Sequence, residues 1–257
     1  TINGGDTTNP TIALAPEVLG MSASPPRGST MIDTVLYSAF DTWGLTWFDL
    51  GSVSSPVLPP YTAGISYQNA SFEPLWCFEG SSGSGNGFAG EDDFIRLLDL
   101  ADPANPVVLG ERSFTATVND TSVNNMKIYG DSLLIAQANS VVIADLSRIA
   151  DPTIIGSDLT VSTSGAITVQ GSRVFIHLGS QDGFGEFSIV SSDVPVLLGN
   201  VNPGAVSGLL LKENLLFITT INPGILNVYD ISIIGSPILL DSLSLYSGEL
   251  GGMAVWG

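Results

Sequence analysis

Basic residues are scarce in this chain. Seven Lys and Arg stand against 25 Asp and Glu, a net charge of −18. A surface of that sign repels phosphate backbones and anionic headgroups, so nucleic acid is not an expected partner. One cysteine, Cys77, and one histidine, His177, exclude a disulfide framework and a Cys/His zinc cluster. Long apolar runs are missing too. The longest uncharged stretch, 50–72, is broken by Pro56, Pro59 and Pro60, whereas a transmembrane helix needs about 20 mostly apolar residues. No segment carries a sustained helical period. What the chain has instead is apolar content, 44 % of residues and a mean hydropathy of +0.36. Without a membrane span, that excess is expected in sheets covered on both faces.

A repeat organises this content. Six times a proline follows a small side-chain acceptor by seven residues and opens an aliphatic run. The pairs are Asn3/Pro10, Asp49/Pro56, Asp99/Pro106, Asp145/Pro152, Ser188/Pro195 and Asp230/Pro237. Successive acceptors lie 46, 50, 46, 43 and 42 residues apart, a period that marks a repeat architecture. Between pairs the chain reads as short β-branched or aromatic runs bounded by Gly, Asn, Asp and Pro, the signature of strands. Asp, Asn and Ser bond backbone N–H groups one or two residues ahead and so start turns. The proline then begins the next strand, where a missing N–H is tolerated. Because Asn3 and Ser188 replace Asp, the position reads as a turn cap rather than a metal ligand or an acid catalyst.

Four antiparallel strands in 40–50 residues, repeated, describe a β-propeller blade. The expectation is an all-β, single-domain β-propeller over 1–257 with six blades, or seven if the chain is incomplete. Blades are expected near 25–64, 65–118, 119–163, 164–204 and 205–247. A closing blade would combine 1–20 with 250–257.

The segments Phe94–Gly110 (FIRLLDLADPANPVVLG), Val141–Leu146 (VVIADL) and Leu226–Ile231 (LNVYDI) resemble the bacterial and archaeal LVIVD repeat. The resemblance covers nearly the whole chain. It implies a propeller strand followed by a turn, export or surface attachment, and no particular activity. The fourth repeat departs from it, with Ser188 where Asp is expected.

Candidate binding residues are few. The long loop 80–93 ends in Glu91, Asp92 and Asp93, an oxygen-rich run suited to Ca²⁺ more than to phosphate. No spaced Asp loop supports it, and no other cofactor is expected. The formal G-x-G-x-x-G at Gly85–Gly90 precedes a strand and acidic residues, the wrong context for a dinucleotide. Trp43, at the tip of a tight turn, is a candidate protein or glycan contact. His177 and Cys77 read as packed interior residues. Asp182 with Glu186, or Glu73 with Glu79, are the carboxylate pairs a glycosidase would need.

The expected function is a non-enzymatic scaffold for protein or glycan contact. Self-association through the incomplete closing blade is one route. The alternative is a polysaccharide hydrolase or lyase with a site at a channel mouth. Ser/Thr richness, few lysines and a Thr at position 1 favour an exported protein.

Overall fold

Among the described residues of the computed structural model, twenty strands are grouped into five four-stranded sheets. It describes residues 28–40, 44–49, 63–67, 75–81, 85–91, 94–113, 123–137, 140–146, 153–158, 165–179, 183–189, 195–221 and 223–246. Blade 1 contains β1 (Gly28–Ile32), β2 (Val35–Phe40), β3 (Gly44–Asp49) and β4 (Ala63–Tyr67). Blade 2 contains β5 (Cys77–Ser81), β6 (Asn86–Gly90), β7 (Phe94–Asp99) and β8 (Val107–Ser113). Blade 3 contains β9 (Val123–Tyr129), β10 (Ser132–Gln137), β11 (Ser140–Asp145) and β12 (Thr153–Asp158). Blade 4 contains β13 (Ile167–Gln170), β14 (Arg173–His177), β15 (Phe184–Ser188) and β16 (Val196–Val201). Blade 5 contains β17 (Val206–Lys212), β18 (Leu215–Thr220), β19 (Gly224–Asp230) and β20 (Ile238–Tyr246).

Each strand lies beside the next in sequence. In blade 4, for example, the β13–β14, β14–β15 and β15–β16 pairings are all antiparallel. The chain divides into two compact units, 1–110 and 111–257. Among the described residues no helix is long and apolar enough to cross a membrane.

The expected count of six or seven blades is corrected to five among the described residues. The sixth was inferred from Asn3/Pro10, and an acceptor–proline pair encodes only the turn between two strands. Such pairs therefore count turns and not four-stranded sheets. Asn3, Pro10 and the termini assigned to a closing blade lie outside the described residues.

Both faces of a blade bury side chains, and strand alternation divides them. On β14, Val174 and Ile176 join Leu134, Ala136, Val141 and Ile143 of blade 3 in one core. Between them in sequence, Phe175 points the other way and joins Leu216, Ile218 and Tyr229 of blade 5. A continuous apolar run is thus the pattern expected of a strand packed on two sides. Fully burying each such side chain contributes about 1.5–3 kcal/mol. In the first unit, Tyr37, Leu45 and Trp47 of blade 1 pack with Phe78, Ala89 and Leu98 of blade 2. Aromatic contacts tie neighbours together in each unit. The Tyr37 and Phe78 ring centres lie 5.4 Å apart, and Phe184 meets Tyr229 edge-on at 5.4 Å.

One glycine is required where β15 begins. Gly183 has φ 75°, and a Cβ there would lie 2.1 Å from the Val201 carbonyl oxygen. No other residue combines that conformation with that approach.

Candidate functional site

The acceptor positions share one place in the sheets. Asp49, Asp99, Asp145, Ser188 and Asp230 each end the third strand of a blade. They pair with Val35, Asn86, Ser132, Arg173 and Leu215, which begin the second. Asp99 Oδ1 accepts the Ala101 N–H at 2.9 Å, and Asp230 Oδ1 accepts the Ser232 N–H at 2.8 Å. That bond, followed by one to the Ser232 side chain, holds the Asp230 carboxyl below its ordinary range. In the same loop of blade 2, Asp102 accepts from Ala104 N–H and from the Asn105 amide. The Asn105 bond is the main reason its carboxyl is also lowered.

Of the residues named for binding, Trp43, Asp92 and Asp93 lie outside the described residues, as do Glu73 and Asp182. Glu91 follows β6 directly and is fully buried. Both its carboxylate oxygens accept from Arg96 Nη1. The Arg96 guanidinium in turn lies 5.5 Å from the centre of the Phe94 ring. The Glu91 N–H donates to the Phe94 carbonyl at 2.9 Å, closing the turn into β7. In blades 3 and 5 the same turn is held by different means. Ser140 Oγ donates to Gln137 Oε1 in blade 3, and Thr220 Oγ1 donates to the Pro223 carbonyl in blade 5. Among the described residues no group of three or more His, Cys, Asp or Glu is placed to hold a metal ion.

His177 and Cys77 are interior residues. Burial lowers the His177 imidazole pKa, partly countered by a hydrogen bond to the Gly179 backbone. Burial, and then the charge of Glu79, push the Cys77 thiol well above its ordinary range.

Glu186 carries an interaction that sequence reading missed. It sits in mid-β15, fully buried, and faces Phe175 across the β14–β15 pairing. Arg173 Nε donates to its Oε1 at 2.6 Å, and the arginine lies 5.2 Å from the centre of the Phe175 ring. Its second oxygen, Oε2, accepts the backbone N–H of Gly235 at 2.9 Å, from the loop before β20. One carboxylate thus joins two strands of blade 4 to the turn of blade 5. The only sequence signal was a glutamate in an otherwise apolar run, in the repeat that lacks the acceptor Asp.

The outer strands show a second missed feature. Where β11 meets β12, β15 meets β16 and β19 meets β20, the register shifts by one residue. The extra residues are Ile155, Leu198 and Leu240, each three positions after the repeat proline. A bulge breaks strict alternation, so consecutive residues can share an outward aspect. Val107, Val108 and Leu109 of β8, Val196, Leu197 and Leu198 of β16, and Ile238, Leu239 and Leu240 of β20 are all exposed. Ile233, Ile234 and Leu243 are exposed as well. The legible signal was a proline followed by consecutive aliphatics in place of an alternating pattern.

No protein-family model matches the chain, and no curated protein matches it. Solved structures do. The chain is similar to a protein from Lactobacillus plantarum, at TM-score 0.65 and 10 % identity, over 85 % of this chain and 71 % of that one. It is similar to the Cps50 (Swd1) β-propeller domain of Myceliophteria thermophila, at TM-score 0.61 and 17 % identity, over 88 % and 76 %. A chain of the Mitotic Checkpoint Complex matches at TM-score 0.61 and 13 % identity, over 82 % and 60 %. The chain therefore spans 60 % to 76 % of the length of these three structures. The class so defined is the β-propeller. At these identities the likeness concerns the fold alone.

Proposed function

We propose that this chain is a non-enzymatic β-propeller of LVIVD type that acts as a protein-binding scaffold, exported to the cell surface or beyond. The observation that carries the reading is that an exposed aliphatic triplet recurs on the outer strand of each of blades 2, 4 and 5. Monomeric proteins keep contiguous exposed apolar area small, and larger areas mark contact surfaces. The structural relative in a multi-protein complex is consistent with such a role. Export is supported by a Ser- and Thr-rich, lysine-poor composition. The LVIVD kinship rests on the Phe94–Gly110, Val141–Leu146 and Leu226–Ile231 segments.

The test immobilises the native chain beside a Val108→Ser, Leu197→Ser, Leu239→Ser variant. Proteins captured from the source cell's surface and medium are compared by mass spectrometry. The expected result is a partner retained by the native chain and lost by the variant. Identical capture by both would remove the outer strands as the contact surface.

A further inference from the structure

We propose that the outer strands of blades 4 and 5 form the face through which two copies of this chain pair. The proposal rests on the scaffold reading and names the occupant of one part of that surface.

The face is continuous. The loop before β20 is seated on β16, so that a Cβ on Gly199 would lie 2.4 Å from the Gly235 carbonyl oxygen. A Cβ on Gly235 would in turn lie 2.9 Å from the Leu198 carbonyl oxygen. This contact places the loop that carries Ile233 and Ile234 against β16, the strand that carries Val196, Leu197 and Leu198. The nine exposed side chains are 36 % to 64 % accessible. Together they present on the order of 800 Å², above the largest patch of a typical monomer. That area is about what each partner contributes to a stable, specific interface.

Charge favours a second copy over a basic partner. The chain carries a net charge of −18, yet 195–203 contains no charged residue and 231–244 contains only Asp241. The strip is thus an interruption in an acidic surface, where two acidic copies can meet without setting carboxylates face to face. A basic partner would find one counter-charge there. Strand geometry disfavours an added β-strand. The register shift at Leu240 bends the edge, and the Asp241 carboxylate takes the Ser242 N–H at 2.8 Å. Both features blunt an edge against strand addition. What remains is side-chain packing of one face on its own copy, the isologous arrangement of a twofold dimer.

Light scattering on the native chain, from about 1 to 100 µM, gives the primary test. The expected mass is twice 26.7 kDa at the upper end. The Ile234→Glu, Leu240→Glu variant is expected to weaken pairing by at least ~100-fold. Val108→Glu, on β8, is expected to leave it unchanged. Raising salt is expected to strengthen pairing, because it screens repulsion between the copies. A nitroxide on Ser244→Cys gives a readout independent of any disruptive variant, since Cys77 is buried. It should report a dipolar coupling between copies at dimer concentrations. A 26.7 kDa species throughout, a dimer that survives the double variant, or a dimer without that coupling would overturn the proposal. A monomer that still loses its captured partner in the outer-strand variant would overturn pairing alone and leave the scaffold reading standing.

Discussion

Within blade 4, two runs of nearly the same chemistry have opposite fates. Val174, Phe175 and Ile176 on β14 are all fully buried, whereas Val196, Leu197 and Leu198 on β16 are all exposed. Hydrophobicity does not distinguish them. Position does: β14 has cores on both faces, and β16 is an edge strand whose register shift disturbs the alternation. The apolar content of this chain is therefore divided between residues that build the fold and residues left available for contact.

The interior should break hardest at Glu186. Its replacement by Ala leaves Arg173 without its charge partner, which costs about 3–5 kcal/mol for a buried pair. The Gly235 N–H loses its acceptor too, and a hydrogen bond to a charged group contributes about 1.5–3 kcal/mol. Urea unfolding should show the sum approached. Hydrogen exchange should rise in the loop before β20 as well as in β14. Glu91→Ala is the matched control, since Glu91 and Arg96 are as buried as Glu186 and Arg173. That pair joins residues five apart in sequence, so exchange should rise in the β6–β7 hairpin. Equal exchange patterns in the two variants would refute a link between blades through Glu186.

Phe175→Ala should cost about 3–5 kcal/mol by emptying a filled core, read as a lower urea midpoint. His177 gives a smaller, pH-dependent effect. Its pKa is lowered in the folded protein, so the unfolded chain binds the proton more readily. Stability should be fully present above the ordinary histidine pKa of 6.5 and fall as pH drops below it. As this is the chain's one histidine, His177→Gln should flatten the urea midpoint between about pH 7 and pH 5. An unchanged slope would place the titration elsewhere. Smallest of all, Leu197→Ser should alter stability by less than about 0.5 kcal/mol, and calorimetry should find the melting transition nearly unmoved.

The β-propeller and its four-stranded unit were legible in the sequence because strand alternation and turn chemistry act over a few residues. The Asp99 and Asp230 turns illustrate this, with donor and acceptor only two residues apart. The blade count was not legible, since an acceptor and a proline seven residues apart specify a turn between two strands and not the number of sheets. Glu186 was hidden for a related reason. Its partners lie 13 and 49 residues away, and only the register of β14 on β15 and the packing of blade 5 bring them together. The exposed strip had a visible cue, Pro-Val-Leu-Leu at Pro195 and Pro-Ile-Leu-Leu at Pro237. Read without a register, those residues look like core.

The division between fold-building and contact residues is tested most directly by measuring stability and molar mass together on Leu240→Ser and Glu186→Ala. Leu240→Ser is expected to keep its stability within about 0.5 kcal/mol of the native chain while weakening association. Glu186→Ala is expected to lose several kcal/mol, and to weaken association only through the loop before β20 that Glu186 holds by the Gly235 N–H. A Leu240→Ser variant destabilised by more than about 2 kcal/mol, with its association intact, would show that the outer strand belongs to the core and would contradict the account.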